Sequence, residues 1–155
     1  MADKPSGQRQ PSEAFIDTNV LLRFLLDDIP EQADAVESLL LQAAQGQLTL
    51  RTNALVLAEI VWTCESYYRL PKDDIKDMVL MILNTPGLKT ADGDLITEAI
   101  LTYADENIDY IDAFNARWMK QQDIEMIYTF DQKHYKRIPG IRVKIPKTLR
   151  WQNKR

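Results

Sequence analysis

Four acidic residues lie in segments of the chain that are otherwise apolar, and their spacing suggests a chemical role. They are Asp17, Glu59, Asp112 and Asp131. An ionised carboxylate in apolar surroundings is costly unless it is paired or coordinates a metal ion. Several such carboxylates in one crevice would bind a hard divalent cation such as Mg2+ or Mn2+. These residues therefore favour metal-assisted cleavage of phosphodiester bonds as the first hypothesis.

Each of the four acids also has an ordinary structural interpretation. Asp17 and Asp131 each follow an apolar run, where an aspartate is a common cap for the next helix or turn. Glu59 is the only charge in the stretch ALVLAEIVW, and it could lie at the margin of a buried helix face. Asp109 is expected to cap a helix in which Asp112 is the third residue, as in a capping box.

Several polar residues lie near the four acids in the sequence. Thr18, Asn19 and Thr129 are able to hydrogen-bond a carboxylate or a metal-bound water. His134 is the only histidine, and a lone histidine near a basic loop is more typical of the surface than of a catalytic site. The aromatic residues Trp62, Tyr67, Tyr68 and Trp118 are interpreted as core or interface residues rather than as base-stacking platforms.

The elements that must position these acids alternate between short strands and helices. Apolar runs predict strands at residues 14–18, 48–50, 88–90, 124–129 and 141–143. Helical periodicity and capping residues predict intervening helices, with Asp17, Asp28, Asn53 or Thr52, Asp92 and Asp109 as candidate N-caps. This order predicts a three-layer α/β/α fold with a short, mostly parallel central sheet and right-handed crossovers.

The predicted sheet gives two of the acids a common position. Asp17 and Asp131 both fall at the carboxyl end of a predicted strand, which is the edge where open α/β sheets bind ligands. We expect a single domain over residues 14–146, preceded by a disordered tail at 1–13 and followed by a basic tail at 147–155. The length of 155 residues suits one domain of this kind.

Composition narrows the class of protein further. The chain is 45% hydrophobic and 27% charged, as in ordinary globular proteins. The single cysteine, Cys64, excludes an internal disulfide framework and is expected to be a buried or half-buried helix residue. We expect no transmembrane helix and no signal peptide, and the cytoplasm is the natural assignment.

The distribution of charge is more informative than its sum. Residues 132–155 contain nine Lys or Arg residues and no acid, which is a charge of +9. Because the whole chain has a net charge of −4, the first 131 residues carry a net charge of −13. A basic end beside an acidic body could hold a phosphate backbone near metal-bound carboxylates. A solvated basic tail, or one that docks on an acidic protein surface, is the alternative.

The same residues resemble a known family. The segments FIDTNVLLRFLL, NALVLAEIVWTCESYY, IDYIDAFNARWMKQQ and IYTFDQKHYKRIPGIRV together resemble the PIN-domain family, and within it the VapC-type toxin ribonucleases. The resemblance implies a Mg2+- or Mn2+-dependent endoribonuclease whose acidic site residues correspond to Asp17, Glu59, Asp112 and Asp131. It also implies a homodimer and a cognate antitoxin that inserts a peptide segment over the acidic site.

Two other functions are compatible with parts of the sequence. A catalytically inactive PIN-like module would bind RNA or a protein without cutting, but it would have discarded part of the acid set. An aspartyl phosphotransfer domain also has an Asp at a strand end, but it needs a second Asp adjacent or two residues on. Here positions 18 and 19 are Thr and Asn, which counts against phosphotransfer.

Overall fold

The computed structural model describes residues 10–149 of the chain. It contains five β-strands and six α-helices in these residues, in an alternating order that confirms the predicted α/β class. The strands are β1 Ser12–Phe15, β2 Leu48–Thr52, β3 Leu88–Thr90, β4 Met126–Tyr128 and β5 Arg142–Lys144. The helices are α1 Thr18–Leu26, α2 Pro30–Ala44, α3 Ala54–Ser66, α4 Lys72–Leu83, α5 Gly93–Asp105 and α6 Tyr110–Gln121.

The chain divides into two compact units, and the division follows Asp94 in the first turn of α5. In the first unit, β1, β2 and β3 form a parallel sheet in that order. Its core consists of buried aliphatic side chains from the sheet and from helices α1 to α4, such as Leu21, Leu50, Ile60 and Val79. Parallel strands need crossover connections, which the helices of the alternating sequence pattern provide.

The second unit is built from the rest of α5, α6 and a pair of short strands. β4 and β5 pair in parallel, with Tyr128 in register with Lys144. Ile96, Ile100, Tyr103 and Ile108 are fully buried here and form the centre of the core. A short 3-10 helix, Tyr135–Arg137, lies between the two strands in sequence, and Arg137 Nη1 donates to the Asn107 carbonyl at 3.1 Å. That hydrogen bond ties the segment after β4 to the end of α5.

Several predicted helix starts are confirmed. Asn53 caps α3, since its side chain accepts from the backbone N–H groups of Leu55 and Val56. Asp109 caps α6 in the same way, which makes Asp112 the third residue of that helix, as predicted. Cys64 is fully buried on α3, also as predicted.

Other predictions about elements were wrong. The first strand lies at Ser12–Phe15 rather than at 14–18, because Thr18 already belongs to α1. Asp28 is not the N-cap of α2: Ile29 occupies that position, and the Asp28 carboxylate instead pairs with Arg23 Nη1 at 2.8 Å. Arg23 Nη1 contacts both oxygens of this carboxylate, at 3.0 and 2.8 Å, so the carboxylate is bound by a charged donor instead of a backbone N–H of α2.

The predicted tails fall largely outside the described part of the chain. Residues 1–9 of the predicted N-terminal tail and residues 150–155 of the predicted basic tail are not described. Ser12 and Glu13, which the prediction placed in the N-terminal tail, belong to β1. Within residues 10–149, none of the helices is long and apolar enough to cross a membrane.

Candidate metal centre

Asp17 and Glu59 are connected through the buried residue Thr18 in the first unit. Asp17 follows β1 as the N-cap of α1, and its Oδ1 accepts from the Thr18 backbone N–H at 2.7 Å. The Thr18 hydroxyl donates to Glu59 Oε2 at 2.6 Å, across 41 positions of sequence. Thr18 is only 6% exposed, so its hydroxyl cannot turn freely to water. One threonine therefore holds two of the predicted site residues by its backbone and its side chain.

The strand order explains why these residues are neighbours. β1 and β2 are adjacent and parallel, so the helices that follow them, α1 and α3, begin at the same edge of the sheet. Thr18 opens α1, and Glu59 lies one and a half turns into α3. The positions of Thr18 and Glu59 agree with the prediction that ligand-binding groups lie at the carboxyl ends of the strands.

A second cluster in the other unit contains Asp112, Asp131 and His134. One ligand atom from each of these residues lies within 4.8 Å of the other two. Asp112 is brought there by the first turn of α6, and Asp131 and His134 by the loop between β4 and the 3-10 helix. Two carboxylates at this spacing offer the oxygen ligands that Mg2+ and Mn2+ prefer, and an imidazole beside them can orient a carboxylate through a hydrogen bond.

His134 is the residue whose place in this cluster the sequence did not indicate. Its Nδ1 lies 2.7 Å from Asp112 Oδ2, and both side chains are 22% exposed. A carboxylate can only accept here, so the imidazole carries its proton on Nδ1 and donates it. The sequence offered only the D-x-x-H spacing from Asp131, which does not predict which acid the imidazole contacts.

The hydroxyl of Tyr135 is a further partner of Asp112. Tyr135 is 4% exposed, and burial together with the neighbouring carboxylate of Asp112 raises the pKa of its phenol. The phenol therefore keeps its proton near the Asp112 carboxylate, while Asn115 Nδ2 donates to the phenol oxygen at 3.4 Å. The neighbours of Asp112 thus include two residues of the same short segment, 134–135.

Asp131 is held by its own loop. Its backbone N–H donates to Thr129 Oγ1 at 3.1 Å, and its Oδ1 accepts from the Lys133 N–H at 3.3 Å. Asp131 therefore caps the turn that follows β4, which was the ordinary interpretation of this residue. The second carboxylate oxygen is free of that turn, so capping and metal binding are compatible.

The argument from burial that first singled out the acids was wrong for three of them. Asp17, Glu59 and Asp131 are exposed, and only Asp112 is half-buried. Glu59 lies at the solvent side of α3, whose other faces pack against the core, so it reaches water as the ordinary interpretation held. Exposure leaves these carboxylates accessible to a divalent ion from solution.

Large aromatic residues were expected in the core or at an interface, and the core placement is wrong for three of them. Trp62, Tyr67 and Trp118 are 68%, 76% and 45% exposed, so they are not core residues, and a role at an interface stays a prediction. On α3, Trp62 follows Leu55 by seven positions, and Leu55 is 79% exposed. The two side chains are therefore on one face of the helix, together with Glu59.

Comparison with known proteins adds an independent line of support. The family model described as "PIN domain" matches residues 14–141 of the chain. A protein named VapC ribonuclease, from Aquifex aeolicus (strain VF5), is 26% identical over 122 residues, which cover 79% of this chain and 90% of that protein. Because the family match spans most of the sequence and includes all four predicted site residues, the chain belongs to the PIN-domain family.

Proposed function

We propose that this protein is a Mg2+- or Mn2+-dependent endoribonuclease and the toxin of a toxin–antitoxin pair. Three observations support the proposal. The chain is a PIN domain, its relative is named a VapC ribonuclease, and the acids Asp112 and Asp131 cluster within 4.8 Å of an imidazole. The cluster is the observation that carries the proposal, because it brings Asp112 of α6 and Asp131 of the loop after β4 together in a chain that belongs to the PIN-domain family.

The residues available suit a hard divalent ion. We propose that Asp17, Glu59, Asp112 and Asp131 contribute the carboxylate oxygens of one metal centre, the ligand type that Mg2+ and Mn2+ prefer. A divalent ion held there would lower the pKa of a bound water and stabilise charge on the phosphoryl oxygens. The hydrogen bonds from Thr18 to Glu59 and from His134 to Asp112 each occupy one carboxylate oxygen and leave its companion oxygen for the ion.

The protein's own contribution to cleavage would be positional and electrostatic. Thr18 and His134 would orient the carboxylates that carry the ion, so little reorganisation would be needed when the phosphodiester enters. The basic residues after Asp131 would attract the RNA backbone toward the acids, which by themselves repel it. No phosphotransfer to Asp17 is required, and the Thr-Asn pair that follows Asp17 suits helix capping and hydrogen bonding.

Incubation with RNA tests the activity directly. We expect the protein to cut RNA with Mn2+ or Mg2+ and not with EDTA, and we expect Asp17→Asn and Asp131→Asn each to abolish cutting. Asp34→Asn is the matched control, because Asp34 is an exposed aspartate on α2. Binding of RNA without cutting in any of these metals would favour the inactive PIN-like module instead.

We also propose a cognate antitoxin, a homodimer and a cytoplasmic location, as in the VapC-type family. For the dimer, the support is the exposed apolar face of α3, where Leu55 and Trp62 are 79% and 68% exposed. Apolar side chains of this size on one helix face commonly mark an interface.

Co-purification with the product of a neighbouring reading frame would test the antitoxin.

A further inference from the structure

The strand that leads to Asp131 ends in an exposed aromatic side chain. Tyr128 is the last residue of β4 and is 62% exposed. Its register partner on β5 is Lys144, and paired residues of adjacent parallel strands project from the same face of the sheet. A flat aromatic ring and an ammonium group are therefore neighbours on a surface three residues before a proposed metal ligand.

These two residues line a groove in the second unit. The groove has a volume of about 780 Å³, and its lining includes Tyr128, Gln132, Lys144 and Lys147. Gln132 directly follows Asp131, so the groove begins next to the Asp112, Asp131 and His134 cluster. The volume is within the range of sites that bind small organic groups.

The charge of the groove is positive. Residues 132–149 contain six Lys or Arg residues and no acid. Within residues 10–149, Arg142 pairs with Glu125 at 3.7 Å, whereas neither Lys144 nor Lys147 has a carboxylate within ion-pair distance. Two unpaired ammonium groups beside an exposed ring suit a ligand that is both anionic and planar.

We propose that this groove binds a nucleotide of single-stranded RNA next to the scissile phosphate. The Tyr128 ring stacks on the base, and Lys144 and Lys147 contact the backbone phosphates. The proposal rests on the proposed ribonuclease function, and it adds the residues outside the acidic cluster that bind the base and the phosphates. A base can stack on a protein ring only when it is not stacked within a duplex, so the groove selects single strands.

The exposed ring of Tyr128 favours RNA over an anionic ligand that has no base to stack. An acidic peptide would be attracted by the lysines equally well, but it would gain little from the flat face of Tyr128. A stacked base would gain a contact that is insensitive to salt, in addition to the phosphate contacts that salt weakens. Aromatic and electrostatic contributions can therefore be separated in one titration.

Fluorescence anisotropy with a short, unstructured oligouridylate in EDTA measures binding without cleavage. We expect Tyr128→Ala to weaken binding by about 5- to 150-fold, the equivalent of one stacked base, and Tyr128→Phe to preserve it. Across a KCl series, Lys144→Gln and Lys147→Gln should each reduce the slope of log affinity against log salt by about 0.7. Lys120→Gln, an exposed lysine on α6, should leave the slope unchanged.

Failure of this proposal is separable from failure of the proposed function. If the wild-type protein cuts and binds RNA but Tyr128→Ala binds the oligonucleotide as tightly as wild type, the groove is not the base site. If Tyr128→Ala and Tyr128→Phe are weakened equally, the hydroxyl rather than the ring is responsible, which also overturns stacking. If the wild-type protein neither binds nor cuts RNA, the ribonuclease function itself is wrong.

Discussion

Thr18 links two proposed site residues, Asp17 through its backbone N–H and Glu59 through its hydroxyl, and the second link can be tested without changing an acid. Thr18→Val keeps the buried volume but removes the hydroxyl that donates to Glu59 Oε2. We expect affinity for Mn2+ to fall about 10-fold or more, because the carboxylate loses the group that orients it. Manganese EPR measures the free ion directly, independently of cleavage.

The hydroxyl rather than the shape of Thr18 should matter. Thr18→Ser retains the donor and should bind Mn2+ with nearly wild-type affinity, at a small cost in packing. An equal loss of affinity in the Val and Ser variants would mean that packing of the residue, and not its hydrogen bond, supports the site.

His134 acts in the same manner on Asp112, as a positioning residue. His134→Asn can still donate from a position close to that of Nδ1, whereas His134→Ala cannot. We therefore expect His134→Ala to lose about 10- to 100-fold in Mn2+ affinity and His134→Asn to lose much less. Nitrogen hyperfine coupling to the bound Mn2+ in the wild-type protein would contradict this role, since it would show that the imidazole is itself a ligand.

At the scale of elements, the approach of β3 to the end of α2 depends on a glycine. Gly87 has a φ of 79°, and a Cβ at this residue would lie 2.3 Å from the carbonyl carbon and oxygen of Ala43. Gly46 has a similar φ of 78°, but a Cβ there would meet nothing within 4 Å. The two glycines therefore share backbone strain and differ only in steric contact.

This pair predicts a difference in stability. Gly46→Ala should lower the free energy of unfolding by about 1 to 2 kcal/mol, the cost of a left-handed alanine. Gly87→Ala should lower it by at least about 2 kcal/mol more, because backbone atoms of α2 must move. Urea unfolding followed by circular dichroism measures both variants, and equal losses would mean that β3 and α2 adjust freely.

The buried thiol of α3 predicts how stability changes at alkaline pH. Burial raises the pKa of Cys64 above its ordinary value, so the folded protein keeps the thiol protonated after the unfolded chain has ionised it. The contribution of the thiol is complete below a pH of about 8.5 and is lost as the pH rises through its folded pKa. Cys64→Ala should lack this dependence, so its stability deficit relative to wild type should shrink between about pH 8 and about pH 10.

The elements also show what the sequence can and cannot predict. Capping and periodicity located α3 and α6 and their caps Asn53 and Asp109, because those signals are local. Asp28 was misassigned because its partner, Arg23, lies in the preceding helix and local rules do not include it. The contact of His134 with Asp112 spans 22 positions and depends on how the loop after β4 returns to α6, which no linear pattern records.

At the scale of the whole molecule, the charge distribution and the exposed apolar face have different consequences. The negative body and the basic segment after Asp131 favour an anionic ligand at one end of the chain. The face of α3 with Leu55 and Trp62 favours a protein contact that is apolar.

Trp62→Glu should therefore shift the proposed dimer toward monomer in light scattering, and Leu41→Glu, at an exposed position of α2, should not.

The proposed metal centre predicts a linkage between metal binding and stability. An ion that binds only the folded protein stabilises it by about 2.7 kcal/mol at a concentration about 100 times its dissociation constant. Asp17 belongs to the first unit and Asp112 to the second. If both contribute to one ion, Asp17→Asn and Asp112→Asn should each remove most of the Mn2+-dependent rise in melting temperature.

The Mn2+ responses of Asp17→Asn and Asp112→Asn decide whether both acids bind the same ion. Asp34→Asn is the control, and it should respond to Mn2+ like wild type. Without metal, Asp17→Asn should be as stable as wild type or slightly more stable, because asparagine can still cap α1 and a negative charge has been removed from an acidic part of the chain. If Asp112→Asn loses the response and Asp17→Asn keeps it, the ion belongs to the Asp112, Asp131 and His134 cluster alone. The catalytic role proposed for Asp17 and Glu59 would then have to be abandoned, whereas the metal-binding role of the second unit would stand.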